Sequence, residues 1–200
     1  MSVTRMESPP HTTKFDFPMI ETERLLLRMF EDRDLDSAFR LFNDDEVQKY
    51  LSPENRRTRE RMKITLQNFV NRWTERGFGL WCVGEKCGGE MLGYCGFQYF
   101  DETPDVEIIF AFFKDYWGRG FATESANACL KFAFEELAPA KVSAVTHPEN
   151  TASRFVLEKI GMVYEERMAH YGMDTVTYSI SRCRFKPSED IYKLTYKKFR

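Results

Sequence analysis

Residues 106–137 change their hydrophobic period midway, and that change restricts the fold more than any other feature of the chain. The run 106–113, VEIIFAFF, is continuously apolar apart from one carboxylate, the pattern of a strand buried on both faces. Beyond it, Ala122, Ala126, Cys129, Leu130, Ala133 and Leu137 fall on one face of a helix. Between strand and helix lies DYWGRGFATES, residues 115–125. A strand that turns through glycines into a helix leaves the first helical N–H groups unpaired and aimed above the turn. Those donors, the helix dipole and Arg119 together favour a phosphate there, although Gly118 and Gly120 are also what a tight turn alone would require. Two other phosphate motifs are disfavoured. No Gly-Lys-Ser/Thr occurs, and Thr123 stands where a dinucleotide fingerprint needs Gly or Ala.

The stretch 117–122, Trp-Gly-Arg-Gly-Phe-Ala, resembles motif A of the GCN5-related N-acetyltransferases (GNAT), Gln/Arg-x-x-Gly-x-Gly/Ala. Trp117 departs from Gln/Arg, but YWG-basic-G-aromatic-ATE is similar to the variant of the ribosomal-protein alanine and serine N-acetyltransferase branch, the RimJ/RimL type. Residues 150–162, NTASRFVLEKIGM, resemble the family's second motif, N-x-x-S-x-x-V-L-E-K-x-G-[FM], and the likeness extends over about residues 20–182.

The order of elements agrees with this resemblance. A first strand is expected at 24–30, and a helix from Asp34 with Leu35, Ala38, Phe39 and Phe42 on one face. Glu31, Asp32 and Asp34 stand where a helix start prefers acids. A second helix, after a polar break at 52–55, carries Met62, Leu66, Phe69, Val70 and Trp73 on its apolar face and a basic cluster on the other. Strands at 80–85, 91–99 and 105–113 are joined by the turns 87–89 and 101–104 and form a meander. The helix after the glycine turn leads to a strand at 141–146, a right-handed parallel step. A helix opened by Asn150 and closed by Gly161 follows, with Phe155, Val156, Leu157 and Ile160 apolar, then a hairpin of 162–168 and 173–181 around 170–172. The expected fold is α+β, βααβββαβαββ, with a central mixed, mostly antiparallel sheet of about six to seven strands flanked by helices. Residues 1–18 read as a flexible lead-in, 19–183 as the domain and 184–200 as a charged, aromatic tail.

A formal net charge of −2 gives no case for nucleic-acid binding. No apolar run is long enough to span a membrane and the first residues lack a hydrophobic signal region, so a cytoplasmic protein is expected. Five cysteines, odd in number and mostly in apolar segments, read as free, reduced and buried thiols. Cys82 and Cys87 lack the second pair that a zinc site needs, and no metal is expected.

The resemblance implies acetyl-CoA as co-substrate. Its pyrophosphate would lie on Gly118, Arg119, Gly120, Phe121, Ala122 and Thr123, and its pantetheine arm against backbone groups of Phe110, Phe112 and Phe113, like an added strand. Asn150 would reach the arm as well as cap its own helix. The acceptor would be a primary amine, either a protein N-terminus or a small molecule. Deprotonating a lysine-like amine at pH 7 costs about 4.6 kcal/mol and an α-amine about 1.4 kcal/mol, so the acceptor sets how strong a base is needed.

Glu107, alone in its apolar run, is the candidate base, with His147 before Pro148 as the other. Many members of the family protonate the leaving thiolate with a tyrosine at the position of Leu157, so that acid is missing here. Ser153, matching the serine of the N-terminal acetyltransferase branch, could donate instead or simply satisfy an N–H of the first helical turn. A non-catalytic acyl-CoA binding or sensing module is the alternative, and a homodimer is compatible with the family.

Overall fold

A computed structural model describes residues 16–51, 56–87, 89–100, 103, 105–187 and 192–198. Residues 1–15 of the lead-in, the break 52–55, parts of the turns 87–89 and 101–104, and residues 188–191 and 199–200 of the tail lie outside the described residues. The strands are β1 (Asp16–Glu21), β2 (Leu25–Arg28), β3 (Leu80–Glu85), β4 (Met91–Tyr99), β5 (Val106–Phe112), β6 (Lys141–Thr146), β7 (Val163–His170), β8 (Met173–Ser181) and β9 (Lys193–Lys198). The α-helices are α1 (Leu35–Leu41), α2 (Asp45–Gln48), α3 (Arg59–Arg76), α4 (Phe121–Phe132) and α5 (Thr151–Lys159).

All nine strands join one sheet in the order β7-β8-β6-β5-β4-β3-β2-β1-β9, antiparallel at every step except β5 to β6. The α+β class and mixed, mostly antiparallel sheet follow the expectation; the strand number exceeds it by two. β1 begins within the expected lead-in and β9 lies within the expected tail, and the two pair over six residues, from Asp16 opposite Lys198 to Glu21 opposite Lys193. Neither DFPMIE nor KLTYKK shows a clear strand period, because main-chain bonds rather than an apolar face join them. Proline in β1 and lysines in β9 are residues that sheets tolerate near an edge.

Alternation along each inner strand divides the core into two layers. In β3, Trp81 and Val83 face the layer that holds α4 and α5, while Leu80 and Cys82 face the layer of α1 and α3. Trp81 is fully buried, stands edge-on to Phe132 at 5.1 Å, and donates its indole N–H to the Pro18 carbonyl at 2.9 Å. Burying a side chain of this size contributes about 3 kcal/mol, so Trp81 ties β1, β3 and α4 together.

The acids before α1 serve a helix start as expected, Glu31 and Asp34 forming a capping box in which Asp34 Oδ2 accepts the Glu31 N–H at 2.8 Å, and Asp34 does further work. Asp34 is buried and accepts two hydrogen bonds of 2.7 Å from Arg28 on β2, which fixes the turn between β2 and α1. Phe155 is displaced from expectation: it is 64% exposed, whereas Leu157 and Ile160 carry the buried face of α5.

The step from β5 to β6 positions the site. These strands pair only at Val106 opposite Val142 and Glu107 opposite Ser143. β5 remains on β4 through Phe112, and β6 remains on β8 through Thr146. Each strand is held by its outer neighbour as the two separate, so above Glu107 and Ser143 their facing edges no longer pair with each other.

Candidate active site

The separation of β5 and β6 opens a cavity of about 420 Å³. Ile108 to Phe112 form one wall, Ala144, Val145 and Thr146 the other, and Asn150, Ala152, Ser153, Phe155 and Val156 of the α5 segment a third side. The Phe113 N–H donates to the Leu92 carbonyl at 3.0 Å, toward β4. Because backbone direction alternates along a strand, the polar groups of Ile108, Phe110 and Phe112 face β6 and the cavity instead. The Phe112 carbonyl accepts from the Trp117 indole at 2.7 Å.

One end of the cavity is closed by the start of α4. Gly118 and Gly120 have φ of +70° and +82°, and Gly120 is the residue before the helix, with no side chain capping its first N–H groups. Left-handed backbone at both positions turns those donors toward the cavity at little steric cost only if the residues are glycine. Gly118, Gly120, Phe121, Ala122 and Thr123 line the cavity. Uncapped N–H groups at the positive end of a helix dipole suit a phosphate.

This turn is braced from below. Glu124 Oε1 accepts from the Thr22 hydroxyl at 2.5 Å and the Arg24 N–H at 2.9 Å, and Glu124 Oε2 accepts from Arg24 Nε at 2.7 Å. Arg24 also donates to the Arg119 carbonyl at 3.0 Å and stacks on Phe121, 4.6 Å from the ring centroid. The sequence reading missed Thr22 and Arg24, which lie some hundred residues from the turn they support.

At the vertex of the gap, Glu107 is 1% exposed. Its Oε2 accepts from Gln98 at 2.9 Å and from the Tyr171 hydroxyl at 2.5 Å, and the carboxylate also accepts the backbone N–H of Val145, beyond Ser143, the last residue of β6 that pairs with β5. Burial raises the Glu107 pKa above the usual carboxylate range, opposed by these hydrogen bonds and by nearby His170.

Most of the residues suggested by sequence come together. Phe110, Phe112, Gly118, Gly120, Phe121, Ala122, Thr123, Asn150 and Ser153 all line the cavity. Phe113, Arg119 and Glu107 are not in its wall. Phe113 is turned to β4 by strand alternation, Arg119 leans over Tyr116 and Phe121, and Glu107 sits behind the vertex. Asn150 Oδ1 accepts the Ser153 N–H at 3.1 Å, so its capping role is realised and its amide nitrogen is the group left to meet a ligand. Leu157 is 1% exposed and packs in the core. His147 accepts the Glu149 N–H on Nδ1 at 3.2 Å and stacks on Tyr50 at 5.2 Å.

The fourth side of the cavity was not legible in the sequence. Glu46, Val47, Tyr50 and Leu51 line it from α2 and the residues after it. α2 has only four residues, too few for a period, and its one local signal is Asp44, which caps it by accepting from the Glu46 and Val47 N–H groups.

A mostly antiparallel sheet parted at its one parallel step, with an uncapped helix start beneath the opening, is an architecture for which sequence comparison supplies the family. The chain belongs to the acetyltransferase (GNAT) domain family, whose model matches residues 24–163. It is 38% identical to the uncharacterized protein YkkB of Bacillus subtilis over 164 residues, covering 78% of this chain and 92% of that protein. The crystal structure of a GNAT-family acetyltransferase from Bacillus anthracis superposes with a TM-score of 0.70 at 30% identity, covering 82% of this chain and 98% of that one. RimL, a ribosomal L7/L12 α-N-protein acetyltransferase solved in complex with coenzyme A, shares the fold with a TM-score of 0.66 at 17% identity, over 80% of this chain and 95% of that one. Among the described residues, no helix is long and apolar enough to cross a membrane.

Proposed function

We propose that this acetyltransferase uses acetyl-CoA and transfers the acetyl group to a primary amine by direct attack on the thioester. The observation that carries this reading is the parted β5–β6 step ending on the uncapped start of α4, which offers strand-edge hydrogen bonds and a phosphate site in one cavity. The pyrophosphate takes the N–H groups of the 118–123 turn. The pantetheine amides lie along the backbone edge of Phe110 and Phe112, and Asn150 meets the arm from the other side. Phe113 and Arg119 are left out of direct contact with the arm, because neither lines the cavity.

The chemistry follows from that pose. A neutral amine attacks the thioester carbon, the C–N bond forms, and the carbonyl electron pair moves onto oxygen beside a strand N–H of β5. Collapse breaks the C–S bond and the thiolate leaves with the electron pair. A thiol is acidic enough that its anion leaves without full protonation, so a buried leucine at position 157 is compatible with turnover, and Ser153 on the cavity wall can donate to it. Glu107 is the base that receives the amine's proton.

The test is calorimetric titration with acetyl-CoA, with ATP and NAD as controls, on the wild type and on Gly120→Glu. Selective acetyl-CoA binding that is lost in the variant supports the reading. Absence of binding by folded wild-type protein overturns it.

A further inference from the structure

Glu107 has no surface through which an acceptor could reach it directly, yet one of its partners is open to solvent. Tyr171 is 44% exposed, and its hydroxyl is 2.5 Å from Glu107 Oε2. The phenol oxygen is the one atom of this part-exposed residue that meets the carboxylate, so a proton reaching Glu107 by this route passes through it.

The backbone that presents Tyr171 is unusual for the residue. His170 pairs with Met173, so Tyr171 and Gly172 form a two-residue hairpin loop, with φ of +53° and +73°. Positive φ at both positions is the mark of a type I′ turn, for which Asn-Gly is the preferred pair. Glycine fits the second position. A tyrosine at the first is held in left-handed backbone against its own preference, and a local rule broken in this way is most often found where a side chain has work to do. The contact with Glu107 is what the turn achieves by presenting this side chain.

We propose that Tyr171 relays the proton of the acceptor amine to Glu107. This rests on the acetyltransferase reading above. In the resting state the phenol donates to the carboxylate. As the acceptor ammonium gives its proton to the phenol oxygen, the phenol proton passes to Glu107 Oε2. The amine is then neutral, Tyr171 is unchanged and Glu107 is protonated. After attack and collapse, the second proton on nitrogen passes to the leaving thiolate, and Glu107 returns its proton to solvent through the same phenol. The sum is one ammonium and one thioester converted to one amide, one thiol and one proton. The groups that face the carboxylate are Gln98 from β4, the Val145 N–H from β6, and His170 and Tyr171 from the β7–β8 hairpin.

The experiment compares wild type with Tyr171→Phe, using acetyl-CoA and three acceptors: a peptide with N-terminal alanine, spermidine, and hydroxylamine, which is largely neutral at pH 7. Product is read by mass spectrometry, and acetyl-CoA affinity by calorimetry. The relay predicts that kcat/KM for the alkylamine that turns over falls about 100-fold at pH 7, the low end of what a positioned base supplies. It also predicts recovery as rising pH supplies free amine, a much smaller loss with hydroxylamine, and unchanged acetyl-CoA affinity.

Tyr171→Asn separates the relay from folding. Asparagine suits the left-handed position, so this variant keeps the turn while lacking the phenol, and it shows the same loss with the alkylamine. Equal loss on all acceptors, loss of acetyl-CoA affinity, or no loss overturns the relay. Wild type that binds acetyl-CoA but acetylates no acceptor also overturns it. Wild type that fails to bind acetyl-CoA overturns the reading beneath it.

Discussion

Arg24 Nε lies 2.7 Å from Glu124 Oε2, and this pair joins the turn between β1 and β2 to the first turn of α4. Arg24 also holds the Arg119 carbonyl, so the pair sets the path of the backbone through Gly118 and Gly120. Removing either partner is expected to loosen the phosphate turn rather than the chemistry. Arg24→Ala should raise the KM for acetyl-CoA about tenfold, equivalent to about 1.4 kcal/mol, while kcat changes little. Glu124→Ala should cost more, because it also removes the acceptor of the Arg24 N–H and of the Thr22 hydroxyl. Steady-state kinetics at varied acetyl-CoA check both.

The two glycines of that turn should differ. A Cβ at Gly118 meets nothing within 4 Å, whereas one at Gly120 comes within 3.3 Å of the Arg24 guanidinium. Gly118→Ala is therefore expected to cost about 1 to 2 kcal/mol of left-handed strain alone. Gly120→Ala should carry that strain and also displace Arg24, with a larger rise in KM. Thermal melts and acetyl-CoA titrations of the two variants measure the difference.

Glu107 should leave a signature in the pH dependence of stability. Burial raises its pKa in the folded chain, so between the ordinary carboxylate value, about 4.3, and that raised value the folded state keeps a proton that the unfolded state releases. Stability attributable to this group is complete below the ordinary value and is lost as pH rises through the window. Glu107→Gln removes the titration. The melting temperature of the variant relative to wild type should rise with pH across that window, and a constant difference would contradict the assignment.

The thiols divide by burial. Cys82, Cys95 and Cys129 are buried, while Cys87 and Cys183 are exposed, so the expectation of five buried thiols holds for three. Burial pushes the Cys82 thiol up to about 12 and raises that of Cys129, with Cys95 Sγ 3.5 Å away. Iodoacetamide on the folded protein should label two sites, and all five only after denaturation. Labelling of Cys95 or Cys129 in the native state would show that the packing between β4 and α4 opens.

Local pattern explains why so much of the architecture was legible. The turn at Gly118 to Thr123, the strand before it and the helix after it are each specified by neighbouring residues: apolar periodicity, left-handed glycines and a missing cap. Asn150 capping through Ser153 is likewise a local arrangement, whereas their place beside the cavity was expected from the family's second motif. β1 and β9 escaped because their pairing uses main-chain groups that every residue carries. α2 escaped because four residues are too few to show a period.

By itself the sequence determined the α+β order, the buried strand 106–113 and the glycine turn at 118–123, because each depends on contacts made within about ten residues. Only the tertiary structure decided what those parts do together. Arg24 meets Glu124 across 100 positions and Tyr171 meets Glu107 across 64. The fate of a carboxylate in an apolar strand depends on which donors the other strands bring to it. Glu107 could have faced solvent, a basic side chain or a cavity. Sheet order placed it at the vertex between β5 and β6, behind the gap, with a tyrosine from a distant hairpin as its exposed neighbour.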